Sequence, residues 1–86
     1  MGSLKIFMKI KPTTSLNDAV KTICAGHSGA ATVVGHIVKE FPSRALKWIR
    51  IMEEKDLSGR AIWTEFSRCG GDISIFLKEL SRRNVK

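Results

Sequence analysis

From position 14 to 82, apolar side chains recur every three to four residues in five stretches. That is the period of helices that turn one face inward. The first stretch carries Leu16, Ala19, Val20, Ile23 and Cys24. Thr14-Ser15 opens it, with Asp18 three residues after Ser15 in a capping-box arrangement, and Gly26 is a natural left-handed stop. The second, about residues 29–41, has apolar residues at 30, 31, 33, 34, 37, 38 and 41. They cover more than one face, which predicts a buried central helix. Ser28 is expected to cap it, and Gly35 within it predicts a close helix crossing. Pro42-Ser43 starts the third, whose face is Ala45, Trp48, Ile49 and Met52, with Arg44, Lys47 and Arg50 on a neighbouring face. Leu57 is expected to tuck back. Ser58-Gly59 then opens a fourth helix, about 59–69, with Ile62, Phe66 and Cys69 as its stripe and Trp63 beside them. Gly70-Gly71 closes it, and Asp72 caps a fifth helix carrying Ile73, Phe76, Leu77 and Leu80. Arg82 and Arg83 suit the negative end of that helix.

Ahead of these, Leu4, Ile6, Met8 and Ile10 alternate with Lys5, Phe7 and Lys9, a strand pattern of period two. No second convincing strand follows. Such a segment pairs with another copy, lies on the helices, or stays mobile. The predicted fold is therefore all-α: a compact bundle of five short helices forming one domain over residues 12–86, with an extended basic arm at 1–11. Met1-Gly2-Ser3 reads as an expression remnant, and Met8 as a second candidate start. The expected core is Val20, Ile23, Val34, Ile37, Ile49, Ile62, Phe66, Phe76 and Leu77. A small core, two tryptophans and an orphan strand point to a homo-oligomer.

Charge adds a preference for partners. Fifteen Lys and Arg against eight Asp and Glu leave a net charge of +7. That favours an anionic partner: nucleic acid, nucleotide or acidic protein. No apolar run approaches the roughly 18 residues of a membrane span, and Lys5 and Lys9 interrupt any signal-peptide core. Cys24 and Cys69 sit in helical stripes without metal spacing, as small core residues of a reducing compartment do. The expected setting is the cytoplasm, with no membrane partner.

Catalysis finds no foothold. Cys24 and His27 are three residues apart, but Cys24 belongs to the apolar stripe. Two cysteines and two histidines (His27 and His36) fit no paired zinc-ligand spacing, and Gly-x-Ser-x-Gly, Walker and paired-carboxylate motifs are missing from the sequence. A non-enzyme without metal or cofactor is expected.

Two binding readings remain. A helix start offers unpaired N–H groups and the positive end of the dipole to an anion. The turn His27, Ser28, Gly29, Ala30 supplies one with small residues, Gly29 allowing a phosphate near the N–H groups of Gly29, Ala30 and Ala31. Arg60, at the other Ser-Gly helix start, and Arg44 are the cationic candidates. The same residues also read as an ordinary Gly stop with a Ser cap. In the alternative, a helix-turn-helix around Ser58 shows Arg60, Thr64, Ser67 and Arg68 to nucleic acid, while Lys5, Lys9 and Lys11 add attraction to phosphate. Those side chains equally suit a solvated face.

At Gly26-His27-Ser28-Gly29-Ala30, then Ile62-Trp63, Phe66, Cys69 and Asp72-Ile73, the chain resembles a group of small phage and mobile-element helical proteins. In that group a Gly-Asn-Pro-Gly-Ala-like turn precedes an apolar helix, and an Ile-Trp segment leads to an aromatic, a cysteine and Asp-Ile. The likeness spans about residues 15–80. Here His27-Ser28 replace Asn-Pro, the spacing from Trp63 to the cysteine is shorter, and a Lys-Asp pair is missing. The resemblance implies a phage setting and an all-helical fold, and brings no activity with it. The expected function is a phage-type binding protein, a host-takeover or anti-defence factor that sequesters an anionic ligand such as a cyclic nucleotide or masks a host protein. The alternative is a nucleic-acid-binding transcriptional regulator.

Overall fold

The computed structural model describes residues 9–82, and these form five α-helices and no strand. They are α1 (Leu16–Cys24), α2 (Ser28–Glu40), α3 (Ala45–Glu54), α4 (Arg60–Arg68) and α5 (Ile73–Arg82), with a short 3-10 turn at Pro42–Arg44. The all-α expectation holds. The alternating residues 4–8 and the tail 83–86, with Lys5 and Arg83 among them, lie outside the described residues.

α2 is the central element, packing against α1, α3, α4 and α5. Ala30, Val33, Val34 and Ile37 are fully buried along it. Ile23, Ile49, Met52, Ile62, Phe66, Phe76, Leu77 and Leu80 join them from the other helices. Eight of the nine expected core residues are thus buried; Val20 is half-buried at the margin. Leu57 does fold back, its N–H donating to the Met52 carbonyl at 2.8 Å. Fully burying side chains of this size is worth about 1.5–3 kcal/mol each before chain entropy is charged.

The helix ends mostly follow their local chemistry. Ser15 Oγ accepts the Asp18 N–H at 3.2 Å, and Asp72 Oδ1 accepts the Ile75 N–H at 3.1 Å. Gly70 and Gly71 both have φ of 73°, so two successive left-handed residues reverse the chain between α4 and α5. Glycine takes that conformation at no steric cost.

Three expectations need correction. The cap of α2 is His27, not Ser28: His27 is extended and its Nδ1 accepts the Ala30 N–H at 3.1 Å. Ala25 and Gly26 are both left-handed, so the turn has room for His27 to reach back and Ser28 becomes the first helical residue. Gly35 marks no crossing, since a Cβ there would meet nothing within 4 Å beyond its own helix. The crossing glycine is Gly29, where a Cβ would fall 2.9 Å from Cγ and Cδ2 of Trp63. Finally, the arm does not part from the domain at residue 11. Ile10 is 1% exposed and belongs to the core. Glu53 on α3 accepts the Lys9 N–H at 3.0 Å and the Ile10 N–H at 2.9 Å, and Arg50 Nε donates to the Ile10 carbonyl at 3.3 Å. Two side chains one turn apart on α3 thus bind the backbone of Lys9 and Ile10.

Candidate anion-binding site

The expected anion turn at the start of α2 is closed by its own surroundings. The Ala30 N–H is taken by the His27 ring, and the Ala31 N–H donates to the His27 carbonyl at 3.0 Å. The expectation that these two amides point at a ligand is therefore overturned, which leaves only Ser28 and Gly29 in the first turn. The space beside Gly29 is filled by the Trp63 indole and the His27 ring, the latter 3.0 Å from where a Cβ would stand. Gly29 is small so that α4 can approach α2. Trp63 continues into an aromatic row, 5.9 Å from Phe66, which lies 6.0 Å from Phe76 and 6.4 Å from His36.

The two expected cations do not meet at that turn: Arg60 starts the helix packed against it, while Arg44 stands at the far end of α2. Arg60 is exposed at the first position of α4, one turn before Trp63. That start is fixed to the end of α1 by the Gly59 N–H, which donates to the Ile23 carbonyl at 2.8 Å. Arg44 lies beyond the opposite end of α2. At about 1.5 Å per residue the thirteen residues between are roughly 18–20 Å of helix. Of the alternative set, Lys9 and Lys11 are bound through their backbone, the Lys11 N–H donating to Thr14 Oγ1 at 2.8 Å. Arg68 is paired with Glu65 at 3.5 Å. The outer side of α4 does expose Arg60, Trp63, Thr64, Ser67 and Arg68 together.

Arg44 instead borders an open groove of about 410 Å³ between the end of α2, the start of α3 and α5. Phe41, Trp48 and Leu77 supply its apolar walls, Ser74 and Ser81 its hydroxyls, and Arg44 and Lys78 its charge. Among the described residues no carboxylate lines it. Its neighbours differ in sign. A cavity of about 210 Å³ beside Lys9 contains Glu53 and Asp56, and one of about 380 Å³ beside His36 contains Glu40 and Asp72. The helical spacing of Arg44 with Trp48 on α3, and of Ser74, Lys78 and Ser81 on α5, was visible in the chain, but nothing local says that the two elements face each other.

No described polar or charged residue is buried, and no buried side-chain nitrogen or oxygen lacks a partner. Among the described residues no three His, Cys, Asp or Glu side chains come together as a metal site, and no helix is long and apolar enough to cross a membrane. Burial pushes the Cys24 thiol up from its ordinary range, which suits a packing role over a nucleophilic one. No family model, curated protein or solved structure matches this chain.

Proposed function

We propose that this protein acts by capture and not by catalysis, holding an anionic ligand with an aromatic part, such as a mono- or cyclic nucleotide, in the groove between Arg44, Trp48 and Lys78. The observation that carries the reading is the lining itself: aromatic walls beside two cations, with no carboxylate among the described lining residues. An indole offers a stacking face to a base, and a guanidinium and an ammonium offer donors to phosphate oxygens. The groove volume lies within the roughly 300–1,000 Å³ of small-molecule sites. The net charge of +7 draws anions toward the surface. In the phage setting that the resemblance implies, such capture would deny a host its nucleotide signal. The ligand site expected at His27–Ala30 is replaced by this one.

Calorimetric titration with a panel of mono- and cyclic nucleotides tests it. Binding should quench Trp48 fluorescence in a Trp63→Phe background and rise in affinity at low salt. Arg44→Glu and Trp48→Leu, each checked for retained helicity, should weaken binding at least tenfold. If the wild type binds none of the panel, or both variants bind as well as it does, the reading fails.

A second reading is favoured by one observation: the exposed row Arg60, Trp63, Thr64, Ser67 and Arg68 on α4, a stripe of donors with an aromatic in it. As a nucleic-acid contact it would show a steep fall of affinity with salt, lost in Arg60→Ala and untouched in Arg44→Glu.

A further inference from the structure

The outer face of α5 carries a charge pattern that survives being turned end for end. Ile75 is 46% exposed, a large apolar side chain among polar neighbours. Asp72 and Lys78 stand three residues to either side of it, and both are exposed. Residues three apart form one ridge on a helix. This ridge therefore runs negative, apolar, positive.

A two-fold axis beside Ile75 reverses such a ridge onto itself. It sets Ile75 on its own symmetry mate and Asp72 of one protomer against Lys78 of the other, twice over. Self-complementarity of this kind is the requirement of an isologous interface. From this pattern we infer that α5 is the seam of a homodimer, the occupant of its exposed face being a second copy of the chain. The Ile75 N–H bonded to Asp72 Oδ1 at 3.1 Å holds that carboxylate at the helix start. Glu79 and Arg82 pair with each other at 3.4 Å and add no net charge to the seam. The antiparallel arrangement also opposes the two helix dipoles favourably. One ten-residue helix is about 15 Å long, and a seam that narrow buries less than the roughly 1,200 Å² of a standard interface. The dimer is accordingly weak and concentration-dependent. It does not rest on the groove reading; the two share Lys78, and Ile75→Asp, which leaves Lys78 and the other groove residues in place, keeps their tests apart.

Sedimentation velocity on the full chain, up to millimolar concentration, tests this. The wild-type mass should rise toward twice that of one chain, and Ile75→Asp should hold it at one. Lys78→Glu makes both ends of the ridge negative and Asp72→Lys makes both positive, so each alone should stay monomeric. An equimolar mixture of the two should regain the heavier species, since every negative end then meets a positive one. Circular dichroism on each variant keeps misfolding from imitating the result, and if Asp72→Lys loses its helix cap and unfolds, Ile75→Asp decides alone. A wild type that stays monomeric, a dimer that survives Ile75→Asp, or a mixture of folded variants that remains monomeric would each overturn the inference.

Discussion

At its first turn α2 is sealed by its neighbours, with the His27 ring on one amide and the Trp63 indole over Gly29. At its last turn it opens onto a groove edged by Phe41 and Arg44. The first end has the residues that sequence reasoning associates with phosphate: a glycine, a serine and small side chains ahead of a helix. The second has a bulky aromatic and a proline. Small residues at a helix start leave room, but the room is taken here by another helix. At the other end the bulky Phe41 and Trp48 line a concave surface, with Arg44 and Lys78 beside them. Whether a helix end is a site depends on what the rest of the chain lays over it.

The contrast is broken most directly at Gly29. Gly29→Ala places a methyl 2.9 Å from the indole, so Trp63 or the α2–α4 approach must shift. A loss of about 1–3 kcal/mol in urea unfolding is expected, as for other overpacked contacts. The loss should shrink in a Trp63→Ala background, where the indole is gone; equal losses in both backgrounds would mean that the close approach is not the cause. Nucleotide affinity in the groove, measured on the folded fraction, should stay unchanged, since the two ends are separated by the length of α2.

His27 gives the next largest effect. His27→Ala removes the acceptor for the Ala30 N–H and should cost about 0.5–2 kcal/mol, the usual range for a lost cap. His27→Asn keeps a short acceptor and should recover most of it. Ser28→Ala should cost clearly less than His27→Ala by the same urea titration, because Ser28 is already helical and exposed. The reverse order would restore Ser28 as the cap.

The five helices were legible because each repeats one instruction several times. Ile62 and Phe66, or Phe76, Leu77 and Leu80, fall on one face whatever lies across from them. Caps at Ser15 and Asp72 were legible because donor and acceptor are three residues apart. The His27 cap was missed by one position: serine is the commoner cap, and the turn through left-handed Ala25 and Gly26 is what brings the ring within reach. The groove was missed for a different reason. Arg44 and Lys78 are 34 positions apart, and their facing depends on how α3 and α5 cross. Ile10 was read as arm because nothing local announces that Glu53 and Arg50 will hold it.

The smallest effect concerns the second glycine of α2, and its sign is opposite. Gly35 is six residues from Gly29 in the same helix, is exposed, and has open space where its Cβ would stand. Its φ lies outside the left-handed region, so alanine fits the backbone as it is. Alanine there would freeze less backbone freedom on folding than glycine does, and no neighbour would have to move. Gly35→Ala should therefore stabilise the fold by about 0.5–1 kcal/mol, read as a rise in the urea midpoint at constant slope. The pair of alanine variants then contrasts a glycine under another helix with one facing open space in the same helix. If Gly35→Ala destabilises, another surface closes over that face of α2, and the position becomes the helix contact that the sequence pattern first suggested.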